Sequence, residues 1–229
     1  MSKNLYEIHC HTRESSPCSI VRATAVADLH HMNGYTGICV TDHYYAGFFE
    51  RHHGRDAGFI VDRFLEGYDR ARERGLEIGL HVLLGMELRF LENNNDYLVY
   101  GFDRSFLHED PFLYKRSLAE FRRIIRGTGI IAIQAHPFRS HMTRVDPRLL
   151  DGMETYNGNA RHDSRNHLAK RYARLHGLAM TCSGDFHRPE DIGTAMMDFH
   201  DVPEDEKALA RMVMAGKYRM QTKERRNEA

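Results

Sequence analysis

The sequence predicts an α/β fold in which a mainly parallel sheet carries its helices outside. Three observations predict it. Short apolar runs of β character alternate with longer segments of helical spacing. The runs are nearly continuous in apolar residues, as strands covered on both faces are. The chain has 229 residues, 41% of them hydrophobic and 28% charged, a composition that suits one domain with a sizeable core. That domain is expected over residues 1–219, with 220–229 as a polar tail that frays. An open doubly wound sheet and a closed barrel both fit this pattern.

The elements follow in order. Leu5–His9 reads as a strand, and Val21–Asn33 as a helix stopped by Gly34. Gly37–Thr41 is a short buried strand, followed by a loop rich in aromatic residues and histidine, Asp42–Gly58. Phe59, Ile60, Phe64, Leu65 and Tyr68 mark a helix over Phe59–Arg74, with Gly75 just after it. His81–Glu87 and Tyr97–Tyr100 are strand-like, and Ser117–Arg126 is an amphipathic helix ending at Gly127. Gly129–Gln134 is the clearest buried strand and Met153–Tyr156 a weaker one. Ser164–His176 is a helix with Gly177 as its stop. Leu178–Ser183 and Thr194–Phe199 are strands, and a last helix lies near Pro203–Ala215.

Charge and cysteine usage narrow the function classes. Basic and acidic residues balance at 32 each, so whole-chain charge makes no case for a nucleic-acid or membrane-surface binder. None of Cys10, Cys18, Cys39 and Cys182 forms a CxxC pair, which sets aside zinc-ribbon and thioredoxin-like readings. Cys39 and Cys182 lie in apolar runs and are expected to pack as small hydrophobes. The N-terminus shows no signal-peptide pattern and no apolar run is long enough to span a bilayer, so a reduced, cytoplasmic setting is expected.

Histidine is abundant, with 16 residues and no run longer than two. Its placement carries the chemistry. His9 and His11 follow the first strand, Asp42 and His43 follow GICVT, and Glu87 closes HVLLGME. His136 follows GIIAIQA, Glu154 sits in the next strand, and Asp185 and His187 follow TCSG. In parallel α/β folds the carboxyl ends of strands are where ligands gather. Imidazoles and carboxylates delivered there from separate strands suit a divalent cation such as zinc, manganese or iron. Alternate residues of an extended chain share a face, so His9 and His11 point the same way and Cys10 the other. Asp42 is a candidate to orient an imidazole from behind.

The runs IHCHT, VTDH, GME, AHP and SGDFH, in this order, resemble the signature of the PHP (polymerase and histidinol phosphatase) domain family. The resemblance spans His9 to His187. It implies a distorted barrel of about seven parallel strands, a TIM-barrel-like (β/α)7 form, with two or three divalent ions (Zn, Mn or Fe) at its C-terminal rim. By position, His9, His11, Glu87 and Asp185 would hold one ion. Glu87 would bridge to a second, held also by His136, and His43 and His187 would hold a third. Two positions depart from the pattern. Ser16 stands where an Asp or His ligand is usual, which implies either a third ion that is weakly held or absent, or one that recruits Glu14 or Cys18. Asp96 stands where His is usual, and a carboxylate there still suits a metal.

The activity implied is phosphoester hydrolysis, by a water activated between two metals and attacking phosphorus in line. Arg139 is the expected grip on a phosphoryl oxygen, with Arg144 and Arg161 as weaker candidates. The proton for the leaving oxygen has three candidate donors: a metal-bound water, His43 and His187. The expected substrate is a small phosphorylated metabolite or nucleotide. The alternatives are exonuclease or phosphodiesterase action on short oligonucleotides, a C–N hydrolysis of amidohydrolase type, and a non-catalytic metal-binding module. For an oligonucleotide, Tyr44, Tyr45, Phe48 and Phe49 would supply stacking, although loop packing is the simpler use of these rings. His52 and His53 lie in the same loop, while His30, His31, His81, His108, His162, His167, His176 and His200 are expected to be surface or packing residues.

Overall fold

The computed structural model describes residues 3–223. The strands are β1 (Asn4–Cys10), β2 (Gly37–Val40), β3 (His43–Tyr44), β4 (His81–Leu84), β5 (Met86–Arg89), β6 (Asp96–Tyr100), β7 (Ile131–Gln134), β8 (Gly152–Asn157), β9 (Ala179–Ser183), β10 (Ala195–Phe199) and β11 (Tyr218–Thr222). The helices are α1 (Ala23–Met32), α2 (Ala46–Arg51), α3 (Ala57–Ile78), α4 (Arg104–Glu109), α5 (Leu118–Ile124), α6 (Asn166–His176) and α7 (Glu206–Met214).

The mixed α/β class is as expected, but the ladders form two sheets rather than one ring of parallel strands. One sheet runs β11-β10-β1-β2-β4 and the other β3-β5-β6-β7-β8-β9. Parallel pairing joins β1 to β2 and β2 to β4, and likewise β7 to β8 and β8 to β9. By contrast, β6 is antiparallel to both β5 and β7, and β10 is antiparallel to β1 and β11. The sheets lie against each other where β9 meets β1, β10 and β11, and Cys10 bridges Phe186. The chain passes between them from β2 to β3, from β3 to β4, from β4 to β5 and from β9 to β10.

The passage from β4 to β5 divides what reads in sequence as one strand, His81–Glu87. Gly85 lies at the break, where a Cβ would stand 2.8 Å from the Cys39 thiol and 2.9 Å from a Thr41 methyl. The close approach lets β5 leave the first sheet and carry Glu87 toward the second. Gly75 likewise does not stop a helix. Helix α3 runs through it to a left-handed cap at Gly79, and Gly75 is the point where the helix presses on the Leu80 carbonyl, 2.5 Å from an added Cβ.

The loop 42–58 contains β3 and α2, and three of its aromatic residues are core, while Tyr45 is half-buried and lines a pocket with Cys18, His43, Arg89 and Asp96. Tyr44, Phe48 and Phe49 are buried among Phe64, Tyr97 and Tyr114, which accounts for them as packing. Cys39 and Cys182 are fully buried among apolar side chains, as expected. The tail begins later than residue 220, because Tyr218–Thr222 pairs with β10 along its length. Residues 224–229 of the expected tail lie outside the described residues. No described helix is long and apolar enough to cross a membrane.

Candidate metal centre

The strand ends bring all eight expected ligands together. His9 Nε2 lies 3.3 Å from Glu87 Oε1 and 3.4 Å from Asp185 Oδ1. His11 Nε2 lies 3.4 Å from Glu87 Oε2 and 3.6 Å from Asp185 Oδ1. His136 Nε2 is 3.0 Å from Glu87 Oε1, and His43 Nδ1 is 2.8 Å from Glu87 Oε2. Glu87 is thus the hub, with a different imidazole set at each carboxylate oxygen. His187 Nδ1 stands 3.3 Å from Asp185 Oδ1. Asp96 reaches the rim although it opens its strand, because β6 runs antiparallel to β5 and pairs Asp96 with Arg89.

The ligating atoms fall into overlapping groups whose members lie within 4.8 Å of one another: His9, His11 and Glu87; His9, His136 and Asp185; Glu87, Asp96 and His136; His11, His43 and His187. His9 Nε2 and His11 Nε2 are buried without any hydrogen-bond partner, and Glu87 Oε2 has close neighbours but none in hydrogen-bond geometry. Buried polar atoms are ordinarily satisfied. Orphaned imidazole nitrogens aimed at carboxylates are what a cation would complete, so the residues fit the metals that the sequence implies.

The electrostatics agree. Burial works against charge at His9, yet Asp185, Glu87 and Glu154 hold its pKa well above the ordinary imidazole value. Burial would raise Glu87, but His43 and His9 bring it well below the carboxylate range. Asp185 is held low in the same way, against burial, chiefly by His9. At His11 burial acts with the neighbouring His187 and His43 to press its pKa down. The cluster is a set of buried anions that draws positive charge to itself.

Residues behind the ligands fix their orientation. Glu154 is buried and accepts from His9 Nδ1 at 2.9 Å, from the His136 backbone N–H at 2.8 Å and from Asn157 Nδ2 at 2.9 Å, with the Ser183 hydroxyl also bound. Nδ1–H is thereby donated, and the His9 Nε2 lone pair faces the cluster. Asp42 touches no imidazole by hydrogen bond, contrary to its expected role. It takes Thr12 N–H at 2.7 Å, the Thr12 hydroxyl at 2.6 Å and the Ser16 hydroxyl at 2.6 Å. Since Ser16 donates to Asp42, it accepts from His11 Nδ1 at 3.3 Å, which again turns Nε2 to the cluster. Glu7 is a carboxylate the sequence reading passed over. It accepts from His9 N–H at 3.0 Å and Gly184 N–H at 2.8 Å, tying β1 to the segment before Asp185.

Two residues of the cluster carry strained backbone. His136 has φ 27° and Asp185 φ 52°, both in the left-handed region that non-glycine residues avoid. The His136 N–H bond to Glu154 and a bond from Asn159 Nδ2 to the Asp185 carbonyl at 3.3 Å help hold them.

Arg139 lines the cavity beside the cluster, and part of its guanidinium is bound to the walls. Its Nε donates to Ser164 at 3.2 Å, and its Nη2 to Asn157 at 3.0 Å and Asp185 Oδ2 at 2.7 Å. With only 9% of the residue exposed, most of its donors serve the walls of the site. Arg161 is held by both oxygens of Asp191, and Arg144 does not line the cavity. Asp96 is gripped by Arg89 through two bonds of 2.7 Å.

The cluster opens into a cavity of about 450 Å³ whose rim includes Arg89, His141, Asn159, Arg161, His162 and Arg188. His141, Asn159 and Arg188 belong to none of the five motifs, although Asn159 follows β8 by two residues and Arg188 directly follows His187. A larger groove of about 620 Å³ lies elsewhere, lined by Arg122, Arg123, Arg126, Arg148 and Arg211, with no imidazole in its walls.

The model of a family described as PHP-associated matches residues 163–218. No curated protein sequence matches the chain. Among solved structures, PsfC from Pseudomonas syringae PB-5123 superposes with a TM-score of 0.66 at 16% identity, over 97% of this chain and 93% of that one. A two-domain protein from Bacteroides vulgatus ATCC 8482, named as containing a predicted PHP-like metal-dependent phosphoesterase, gives 0.69 at 16% identity, over 96% of this chain and 65% of that one. In fold, the chain is thus similar to a protein named as PHP-like, and its residues 163–218 match the PHP-associated model. The chain is also similar to an amidohydrolase from Chromobacterium violaceum, solved with bound sulfate and no metal, at a TM-score of 0.56 and 17% identity over 95% of this chain and 97% of that one. At the two positions that depart from the motif pattern, Ser16 bonds His11 Nδ1, and Asp96 groups with Glu87 and His136 as a set that could hold an ion.

Proposed function

We propose that this PHP domain is a metal-dependent phosphoesterase acting on a small phosphorylated metabolite or nucleotide. The observation that carries the reading is the meeting of His9, His11, Glu87, His136 and Asp185, with orphaned imidazole nitrogens, at the floor of a cavity rimmed by arginine and histidine. Two divalent ions, with room for a third, would be held by His9, Glu87 and Asp185, by Glu87, His136 and Asp96, and by His43 and His187, with the one free lone pair of His11, at Nε2, open to the first or the third. When bound, such ions neutralise phosphoryl charge and lower the pKa of water.

The chain's own residues do the rest. Glu87 offers one oxygen to each side of the cluster and sets the spacing of the two principal positions. Arg139 acts as a positioning residue for Asp185 rather than as the phosphate grip. The rim cations Arg188, His141 and His162 stand where an anionic substrate enters, and they favour an oxyanion over a neutral amide. Such an arrangement needs only the one domain described, over roughly residues 1–219, and no membrane partner.

C–N hydrolysis is the second reading, favoured by the likeness to the Chromobacterium amidohydrolase. A panel of phosphomonoesters, phosphodiesters and dipeptides, assayed on protein loaded with zinc, manganese or iron, tests both. Turnover of phosphomonoesters is the expected result. Turnover confined to dipeptides, or none with metal bound, overturns the phosphoesterase reading.

A further inference from the structure

Three imidazoles at the outer edge of the cluster lack a fourth donor of their own. His11 stacks on His43 and His187 with ring centroids 4.4 and 4.3 Å away, and the ligating atoms of all three lie within 4.8 Å of one another. His11 is fully buried, and its Nε2 has no partner. The resemblance puts the missing donor at Ser16, but that hydroxyl is committed. It donates to Asp42 and accepts from His11 Nδ1 and from the His43 N–H at 2.9 Å. Glu14 is committed as well, since its Oε2 accepts the Ala23 N–H at 2.9 Å at the start of α1.

Cys18 is left. It lies two residues beyond Ser16 and lines the cavity together with His43 and His187. The loop that carries it is strapped over the imidazoles. The Ser19 hydroxyl binds the His11 carbonyl at 3.1 Å and the His187 carbonyl at 3.2 Å, and the Ile20 N–H binds the His187 carbonyl at 3.2 Å. Cys10, Cys39 and Cys182 are buried, so Cys18 is the one exposed thiol of the chain.

We infer that Cys18 is the fourth donor of a His11–His43–His187 site, making it a thiolate-containing position selective for zinc-like ions. This rests on the reading of the cluster as a metal centre. As the sulfur–metal bond forms, the thiol proton passes to solvent. A soft sulfur beside three imidazoles suits Zn²⁺ or Co²⁺ and disfavours Mn²⁺ and Mg²⁺. The two inner positions, rich in carboxylate, carry no such preference, so the domain would hold two kinds of metal position side by side.

Cobalt(II) titration of the full chain tests this, because a cysteine thiolate on cobalt gives a near-ultraviolet charge-transfer band that imidazole and carboxylate do not. Wild type is expected to develop the band as cobalt binds. Cys18→Ser is expected to lose it and to bind the last equivalent at least about tenfold more weakly, with the other equivalents retained. Iodoacetamide labelling of Cys18 in the wild-type chain should slow at least about tenfold once cobalt is bound. Cobalt binding with no band, a band that survives Cys18→Ser, or labelling that cobalt leaves unchanged each overturns the assignment while the inner metal centre stands. No cobalt bound at all overturns both.

Discussion

Two buried histidine environments in this chain look alike locally and differ in consequence. His30, on α1, is fully buried, donates Nδ1–H to the Val26 carbonyl at 2.8 Å and has no partner at Nε2. His11 is also fully buried, with a hydroxyl at Nδ1 and no partner at Nε2. His30 is surrounded by rings, Tyr35 at 4.9 Å and Phe186 at 4.7 Å between centroids, whereas His11 faces Glu87, Asp185 and two more imidazoles. An orphaned nitrogen therefore does not mark a ligand by itself. Convergence with carboxylates does, because only there is the missing partner a positive charge.

The sharpest way to break this contrast is to neutralise its hub. Glu87→Gln is expected to reduce bound metal and to lower hydrolysis of a generic aryl phosphate by at least about a hundredfold. Metal analysis paired with turnover checks it, and full activity would end the bridging role. The next effect is at Arg139. Because its guanidinium holds Asp185 at 2.7 Å, Arg139→Ala should weaken metal binding by roughly 10- to 100-fold. A raised KM with unchanged metal affinity would instead restore Arg139 as a phosphate grip.

On the other side of the comparison, His30→Ala should cost roughly 2–4 kcal/mol of stability and leave metal content alone. The same residue carries a pH dependence. Burial lowers its pKa from 6.5 to about 4. The unfolded chain therefore takes up this proton first as pH falls, so His30's share of stability is full above pH 6.5 and is lost on the way down to pH 4. The loss is of the order of 3 kcal/mol. Denaturant midpoints between pH 7 and 4 should fall more steeply for the wild type than for His30→Phe, and parallel slopes would refute it. The smallest effect belongs to the exposed rim, where Arg188→Ala should raise KM by about two- to fivefold with kcat and metal unchanged.

Much of the candidate site was legible because its residues follow short apolar strands, and strand ends in α/β proteins are places where the backbone leaves side chains free for a ligand. Asp96 was legible only by resemblance, since its strand runs the other way and its position at the rim depends on the β5–β6 hairpin. His141, Asn159 and Arg188 stood in no motif, as rim residues come from loops whose paths no periodicity encodes. Glu7 looked like an ordinary strand residue, because a carboxylate that ties two segments together is defined by what faces it, whereas Glu154 stood out by its place in the series of strands.

The linear chain determined which residues are apolar, with what period, and where glycine and proline interrupt them. That is local information, and it was enough for the alternation of strands and helices and for the placing of His9, His11, Glu87, His136 and Asp185 after or within strands. Whether Gly75 ends a helix or lets it press on the turn that follows, and whether Gly85 continues a strand or turns it into a second sheet, depends on what packs there: the Leu80 carbonyl, five residues on, in one case, and Cys39 and Thr41, far away in sequence, in the other. The same holds for Arg139, whose donors went to Ser164, Asn157 and Asp185. A guanidinium is available to a substrate only after the fold has decided which carboxylates it must satisfy, and that competition is settled in three dimensions.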